Sequence, residues 1–421
     1  MFKRILVGAT GLVLGVAVLP LAWHTPFAFS LWPNRDLDRS SAYVREVLQI
    51  VHDNYVDAAP SAYDALARHS IHGMVESLDP HSEFLESKDN AELAQDLNGE
   101  FGGIGVEVEQ RHDRIVVVAP MPGSPGARAG ILRGDEVVSV DGHVLAKGEA
   151  MDSVVDRLRG QPHTRVRLGL FRPSSQQRLD LSMLREIVKV ESVRNARVIE
   201  DGIGYLQITE FSEHTAAQFD DALDGLFKQG INSLVIDLRN NPGGLLEAAV
   251  EVAEPFFKKG ELIVYTQGRK PSDREEYRAE TDGTPLKLPV AILINAGTAS
   301  AAEIVTGAMK DTGRAVIVGE RSFGKGSVQS IFKLKHGEGL RLTTAHYFTP
   351  SGVPIHEHGV SPQVEVVMTP EEDGKLSQQA SRPDVTDEAD FKSRYGFAPI
   401  EDRQLRAAID ILTSADLLGG R

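Results

Sequence analysis

The chain has no cysteine among its 421 residues. Disulfides, iron–sulfur clusters, cysteine-ligated zinc, a thiol nucleophile and an acylated lipoprotein anchor are all excluded by that absence. His-Glu-x-x-His is also missing. The one tight histidine pair is His356-Glu357-His358, a spacing of polar turns more than of metal sites, so neither metal nor cofactor is expected. No long basic run occurs, and the formal net charge is −15. Clustered cations for polyphosphate are lacking, which argues against nucleic-acid binding.

What is present suffices for a sizeable core: hydrophobic residues make up 41% of the chain and charged ones 25%, enough for two to four domains at this length. Lys3 and Arg4 precede an uncharged run over 5–22, followed by Ala28-Phe29-Ser30. Residues 1–30 therefore read as an export signal or, uncleaved, an N-terminal anchor. Either way the body is expected outside the cytoplasm, in the periplasm or cell envelope, with membrane contact only through this segment.

Residues 36–98 carry helical periodicity: Tyr43, Val47, Ile50 and Val51 share one face, Leu66, Met74 and Leu78 another, with breaks near Pro60 and Pro80. Residues 99–185 alternate in short strands between glycine-rich turns, with a helix over 151–159, and read as a small β domain. From 186 to 370 continuous apolar strands alternate with helices, the pattern of a covered α/β core. Within it, the polar stretch 270–287 reads as a surface excursion. Residues 371–421 read as an acidic linker and a last helix over 401–418. Its stripe of Leu405, Ala408, Ile409 and Leu412 suggests docking or dimerisation. Two helical flanks without evident cores predict a homo-oligomer built through them.

Ser300 stands where strand 290–295 turns into a helix, beside free N–H groups and the positive end of the helix dipole. Ser300-Ala301-Ala302-Glu303 also matches a capping box, in which the serine merely caps. Lys325 lies in Gly324-Lys325-Gly326 after another core strand, and Gln329 follows four residues on. A lysine serves as base for a serine only when burial lowers its pKa. A phosphate loop over Gly319–Lys325 is the rival, but position eight is Gly326 rather than Ser or Thr, and a strand follows instead of a helix. Oxyanion donors are expected from Ala301 and from Gly243 or Gly244.

Six motifs together resemble the carboxy-terminal processing, or tail-specific, proteases. They are Leu78-Asp79-Pro80-His81-Ser82, Phe101-Gly102-Gly103-Ile104-Gly105, Asp237-Leu238-Arg239-Asn240-Asn241-Pro242-Gly243-Gly244, Gly297-Thr298-Ala299-Ser300-Ala301-Ala302-Glu303, Gly319-Glu320-Arg321-Ser322-Phe323-Gly324-Lys325-Gly326 and Tyr347-Phe348-Thr349-Pro350. The resemblance implies a crotonase/ClpP-like mixed α/β protease core with an inserted PDZ domain, Ser300 as nucleophile, Lys325 as base and Gln329 as its partner. Thr298 and Ala302 replace outer serines of the family run, leaving the middle one. It further implies that Gly103, Ile104, Gly105 and Val106 cradle a substrate carboxylate and that Arg159 in Leu158-Arg159-Gly160 couples binding to activation; His81 also resembles a motif residue but reads as structural. Protein substrates with apolar C-terminal tails are the expected partners, with an adaptor protein as a further one. An inactive PDZ scaffold and a crotonase-like acyl-CoA enzyme are the competing readings.

Overall fold

In the strand Arg165–Arg172, Val166, Leu168 and Leu170 are buried while Arg165 and Arg167 face solvent, the two-residue period of a sheet with one covered face. The computed structural model describes residues 34–419 apart from 112, 201, 381–384 and 386. The expected export segment, 1–30, lies outside the described residues. Among those described, no helix is long and apolar enough to cross a membrane.

The chain divides into two units, Met1–Leu78 and Asp79–Arg421. In the first, helices Arg35–Asn54 and Tyr63–Glu76 are joined by a turn in which the His52 ring stacks on Tyr63 at 4.1 Å. Tyr43, Val47 and Ile50, expected to share one face, are exposed.

Arg165–Arg172 belongs to an antiparallel sheet ordered Val106–Arg111, Arg114–Pro120, Glu136–Val140, Arg165–Arg172, Gln177–Leu184, with His143–Val144 on the third strand. Its core packs Ile104, Ile115, Val117, Val137 and Leu168 against Val154 and Leu158 of helix Met151–Leu158. Both ends of this domain pass through one neck. There Glu100–Gly103 pairs antiparallel with Glu186–Lys189, from Glu100↔Lys189 to Gly103↔Glu186.

The larger core is a six-stranded sheet ordered Val193–Glu200, Ile203–Ile208, Ser233–Asp237, Val290–Ile294, Ala315–Gly319, Val364–Glu365. Its first pair is antiparallel and the rest parallel. Ser233–Asp237 and Val290–Ile294 are buried throughout, which is why they read as continuous apolar runs. Helices Thr215–Lys228, Leu246–Ala253 and Ala301–Asp311 pack on one face.

The other face corrects the sequence reading. The C-terminal helix Arg403–Gly419 lays Ala408, Ile409 and Leu412 on Tyr205, Val235, Ala291 and Leu293. The stripe thus completes the chain's own core instead of docking a second copy, and burying Ile409 and Leu412 stabilises the fold by about 1.5–3 kcal/mol each. The expected linker is likewise partly helical, as Pro370–Ala380 and Glu388–Tyr395, seated through Leu376 and Phe391.

A second, five-stranded sheet joins Glu83–Leu85, Gly339–Phe348, Leu262–Gly268 and Arg274–Arg278, with Ser327–Lys333 also paired to Gly339–Phe348. Arg274–Arg278 falls inside the expected surface excursion. It is an edge strand whose charges hid it: Glu276 pairs with both Arg274 and Arg278 along one solvated face.

Candidate active site

The buried strand Val290–Ile294 leads to Ser300, the residue before helix Ala301–Asp311. Ser300 has φ 54° and ψ −118°, left-handed backbone that costs a non-glycine residue about 1–3 kcal/mol and lifts the side chain off a sharp strand-to-helix turn. A neighbouring loop holds that strain in place. The Asn240 amide donates to Asn295 Oδ1 at 2.8 Å and Asn295 Nδ2 donates back to Asn240 Oδ1 at 2.9 Å. The Ala299 amide donates to the Asn241 carbonyl at 2.9 Å, and Thr298 Oγ1 to that of Leu238 at 2.8 Å. The Asp237–Gly244 loop and the Ser300 turn are therefore one laced structure.

The capping reading of Ser300 is only half met. The Ser300 amide donates to Glu303 Oε2 at 2.8 Å, while the Glu303 amide donates to the Ser300 backbone carbonyl at 2.8 Å. The hydroxyl is not spent on the cap.

Glu303 does more than close the turn. Its fully buried carboxylate accepts from Ser322 Oγ at 2.5 Å, the Gly324 amide at 2.8 Å and the Lys325 amide at 2.9 Å. Burial pushes this carboxyl up, and the four donors restrain the rise. In the sequence alone, Glu303 reads only as the far end of a capping match. Its second role is visible only when the loop 322–325 folds against the helix start.

Ser300, Lys325 and Gln329 line one cleft of about 670 Å³, together with Leu93, Leu97, Gly244, Arg341 and Tyr347. Burial lowers the Lys325 ammonium from its ordinary range, and the Arg341 charge lowers it further. Lys325 Nζ and Ser300 Oγ share the cleft without a hydrogen bond between them in this state. Gln329 Nε2 donates to Thr343 Oγ1 at 2.9 Å and to Ser327 Oγ at 3.2 Å, leaving its buried Oε1 without a donor. His81, expected to be structural, feels this site: burial lowers its pKa and the Lys325 charge adds to the effect.

The Ala301 amide makes no hydrogen bond among the described residues. Gly243 departs from expectation in this state, because its amide donates to Asn241 Oδ1 at 2.8 Å. The unengaged amide is that of Gly244, which lines the cleft. Gly243 is nevertheless pressed against Ser300, since a Cβ there would lie 2.6 Å from Ser300 Cβ and 2.8 Å from the Ala301 nitrogen.

A second cavity, about 320 Å³, opens on the small β domain between Ile104, Gly105, Val106, Met121, Val155, Leu158 and Arg159. Gly103 is committed to the neck pair and Val106 to a strand, whereas the amides of Ile104 and Gly105 between them bond nothing among the described residues. Gly105 sits at φ 65°, and a Cβ there would meet Ser124 Cβ at 2.3 Å. Arg159 stacks over Phe101 at 5.0 Å and lies 3.9 Å from Asp96. Helix Ser87–Asn98 borders both cavities, with Asp96 in the groove and Leu93 and Leu97 in the cleft.

Residues 202–366 match the profile of peptidase family S41, and 116–172 match that of the PDZ domain. A carboxy-terminal-processing protease of Bartonella bacilliformis is 36% identical over 87% of this chain and 83% of its own length. The chain belongs to the carboxy-terminal-processing proteases. This serine-type peptidase is also 36% identical to a Staphylococcus aureus protein named "Probable CtpA-like serine protease", over 77% of the chain and 64% of that protein. A solved structure of a candidate S41 protease from Bacteroides fragilis superposes with TM-score 0.50 at 17% identity, over 80% of this chain and 87% of that one, a likeness of fold. With family and PDZ domain in place, the peptidase acts on protein substrates.

Proposed function

We propose that this peptidase attacks with Ser300, uses Lys325 as its base, and cuts protein chains whose apolar C-termini are held in the PDZ groove. The observation that carries the reading is Glu303, whose one carboxylate takes the backbone amides of both Ser300 and Lys325. A scaffold with no chemistry to perform has no need of that bridge across two loops.

In the proposed cycle, Ser300 Oγ attacks the scissile carbonyl carbon while neutral Lys325 Nζ takes its proton. The oxyanion accepts from the Ala301 amide and the adjacent glycine turn, through Gly244 as it stands or Gly243 once its amide leaves Asn241. Collapse breaks the C–N bond, Lys325 returns the proton to the departing amine, and water activated by the same amine hydrolyses the ester. Gln329 Oε1 is the acceptor that aims Nζ. The lysine side chain must swing onto Ser300, so the state described is a resting one, as is common before substrate tightens a catalytic hydrogen bond.

In the groove, the Ile104 and Gly105 amides receive the substrate carboxylate and the Ile104, Met121, Val155 and Leu158 wall receives its last side chain. Arg159, beside Phe101 and Asp96, is positioned to report that occupancy to helix Ser87–Asn98. The residues of 1–30 support export to the cell envelope, and the exposed N-terminal helices remain the surface for self-association; fractionation and light scattering of the full chain test these two. The deciding experiment is degradation of a protein with a free apolar C-terminus by the purified chain. Wild type should cleave and Ser300→Ala should be inert. No cleavage by either under any tail chemistry would favour the scaffold.

A further inference from the structure

We infer that Asp79, Ser82 and Thr343 form a positioning relay that turns the Gln329 carboxamide so that its oxygen faces Lys325. The inference rests on the Ser300–Lys325 reading and assigns a role to the Asp79-Pro80-His81-Ser82 motif, which the mechanism above leaves unused.

The motif runs directly into Glu83–Leu85, which adds to the edge of Gly339–Phe348 in the register Glu83↔Arg341, Leu85↔Gly339. That pairing brings the preceding turn beside Thr343. Asp79 Oδ1 accepts the amides of His81 at 2.8 Å and Ser82 at 2.9 Å, and Asp79 Oδ2 accepts Ser82 Oγ at 2.7 Å. Ser82 Oγ in turn accepts the Thr343 amide at 3.1 Å. On its other side, Thr343 is the cross-strand partner of Gln329 and its Oγ1 accepts Gln329 Nε2.

The direction of these bonds is what matters. An ionised carboxylate only accepts. Burial pushes the Asp79 carboxyl up, but the hydrogen bonds from Ser82 and the His81 amide help outweigh it, and the net shift is down. Ser82 Oγ holds the Thr343 amide, which seats Thr343 Oγ1 against Gln329 as the acceptor of its NH₂ end. Ser327 Oγ takes the other Nε2 hydrogen. Both donors are then used, and Oε1 is left buried and unpartnered in the wall that Lys325 shares. A carboxamide has nearly the same shape when flipped, so without the relay its donor end would face the lysine as readily as its acceptor. The donor end would repel the ammonium and leave the amine without the acceptor that aims its lone pair.

The test is kcat, KM and the pH–rate profile of full-length Thr343→Val, Thr343→Ser and Asp79→Asn, each checked for native circular dichroism. Thr343→Val should lower kcat by about 10-fold or more with KM within about 2-fold. It should also move the acid limb to lower pH, because the ammonium has lost an acceptor. Thr343→Ser should recover most of the loss, and Asp79→Asn should fall between. Wild-type kcat and an unmoved acid limb in Thr343→Val would overturn the relay, as would a Thr343→Ser enzyme as impaired as Thr343→Val. If Thr343→Val does not fold, Asp79→Asn is read by the same two criteria. Turnover by Lys325→Ala would instead overturn the dyad; an inert Lys325→Ala beside a normal Thr343→Val overturns the relay alone.

Discussion

Glu303 and Lys325 are joined by a hydrogen bond from the lysine amide to Glu303 Oε2 at 2.9 Å, and the same oxygen holds the Ser300 amide at 2.8 Å. The Ser300 turn and the Lys325 loop, 25 residues apart in sequence, are thereby fixed to a single buried group. Glu303→Ala should strand several buried donors at once, each worth about 1–3 kcal/mol. A stability loss of at least about 3 kcal/mol by denaturant titration is expected, with turnover down about 100-fold or more. Glu303→Gln, which keeps some acceptors, should be milder on both counts.

In the proposed mechanism Lys325 sets the pH dependence. Its pKa in the folded chain is held below the ordinary lysine value by burial and then by Arg341. Activity should therefore rise with pH along a limb whose midpoint lies below that value, since the proposed base is the neutral amine. Lys325→Ala should be inert while folded, and Lys325→Arg should not rescue it, because a guanidinium stays protonated. The sign for stability follows from linkage. As pH falls from the unfolded value toward the folded one, the unfolded chain binds this proton and the folded chain does not. The residue's contribution is thus lost as pH falls across that window. Relative to Lys325→Met, wild type should lose stability between those two values on acidification.

Tail capture should depend on Gly105. Gly105→Ala forces a Cβ into Ser124 at a left-handed position. KM for a free-acid tail should rise by about 10-fold or more, with much less change for an amidated tail, which lacks the carboxylate to be lost. Equal KM for the two tails in wild type would count against selection by the groove.

Arg239 anchors the loop of the glycine turn. It pairs with buried Asp237 at 2.6 Å and with Asp402, before the C-terminal helix, at 2.8 Å. Arg239→Ala leaves Asp237 uncompensated and should cost about 3–5 kcal/mol. Thermal unfolding should show the loss directly.

Ile409→Asp places a carboxylate against the apolar back of the main sheet. It should destabilise the fold by several kcal/mol. A variant of native stability that only changes oligomeric state would show the stripe to be an intermolecular surface after all.

Much of this was legible in the chain. The period-two strands, the buried parallel runs and the glycine-punctuated turns placed the β domain and the α/β core, because burial on one or both faces writes itself into residue order. Ser300, Lys325 and Gln329 were legible through motif and spacing, and the structure brings all three to one cleft. Other features depended on partners far away in sequence. The stripe of Leu405, Ala408, Ile409 and Leu412 announces that it will be covered but not by what, since hydrophobic burial is non-directional. The charged edge strand Arg274–Arg278 needed its neighbour Leu262–Gly268 to be recognised. Hydrogen-bond direction is decided only by tertiary contacts: Gly243 reads as a donor until Asn241 takes its amide. Glu303 reads as a cap until the loop of Lys325 arrives, and Ser82 as one motif residue until its hydroxyl meets the Thr343 amide. Sequence determined which groups were present and on which elements; the fold decided which atoms each of them faces, because a polar group's role is set by the partner that satisfies it.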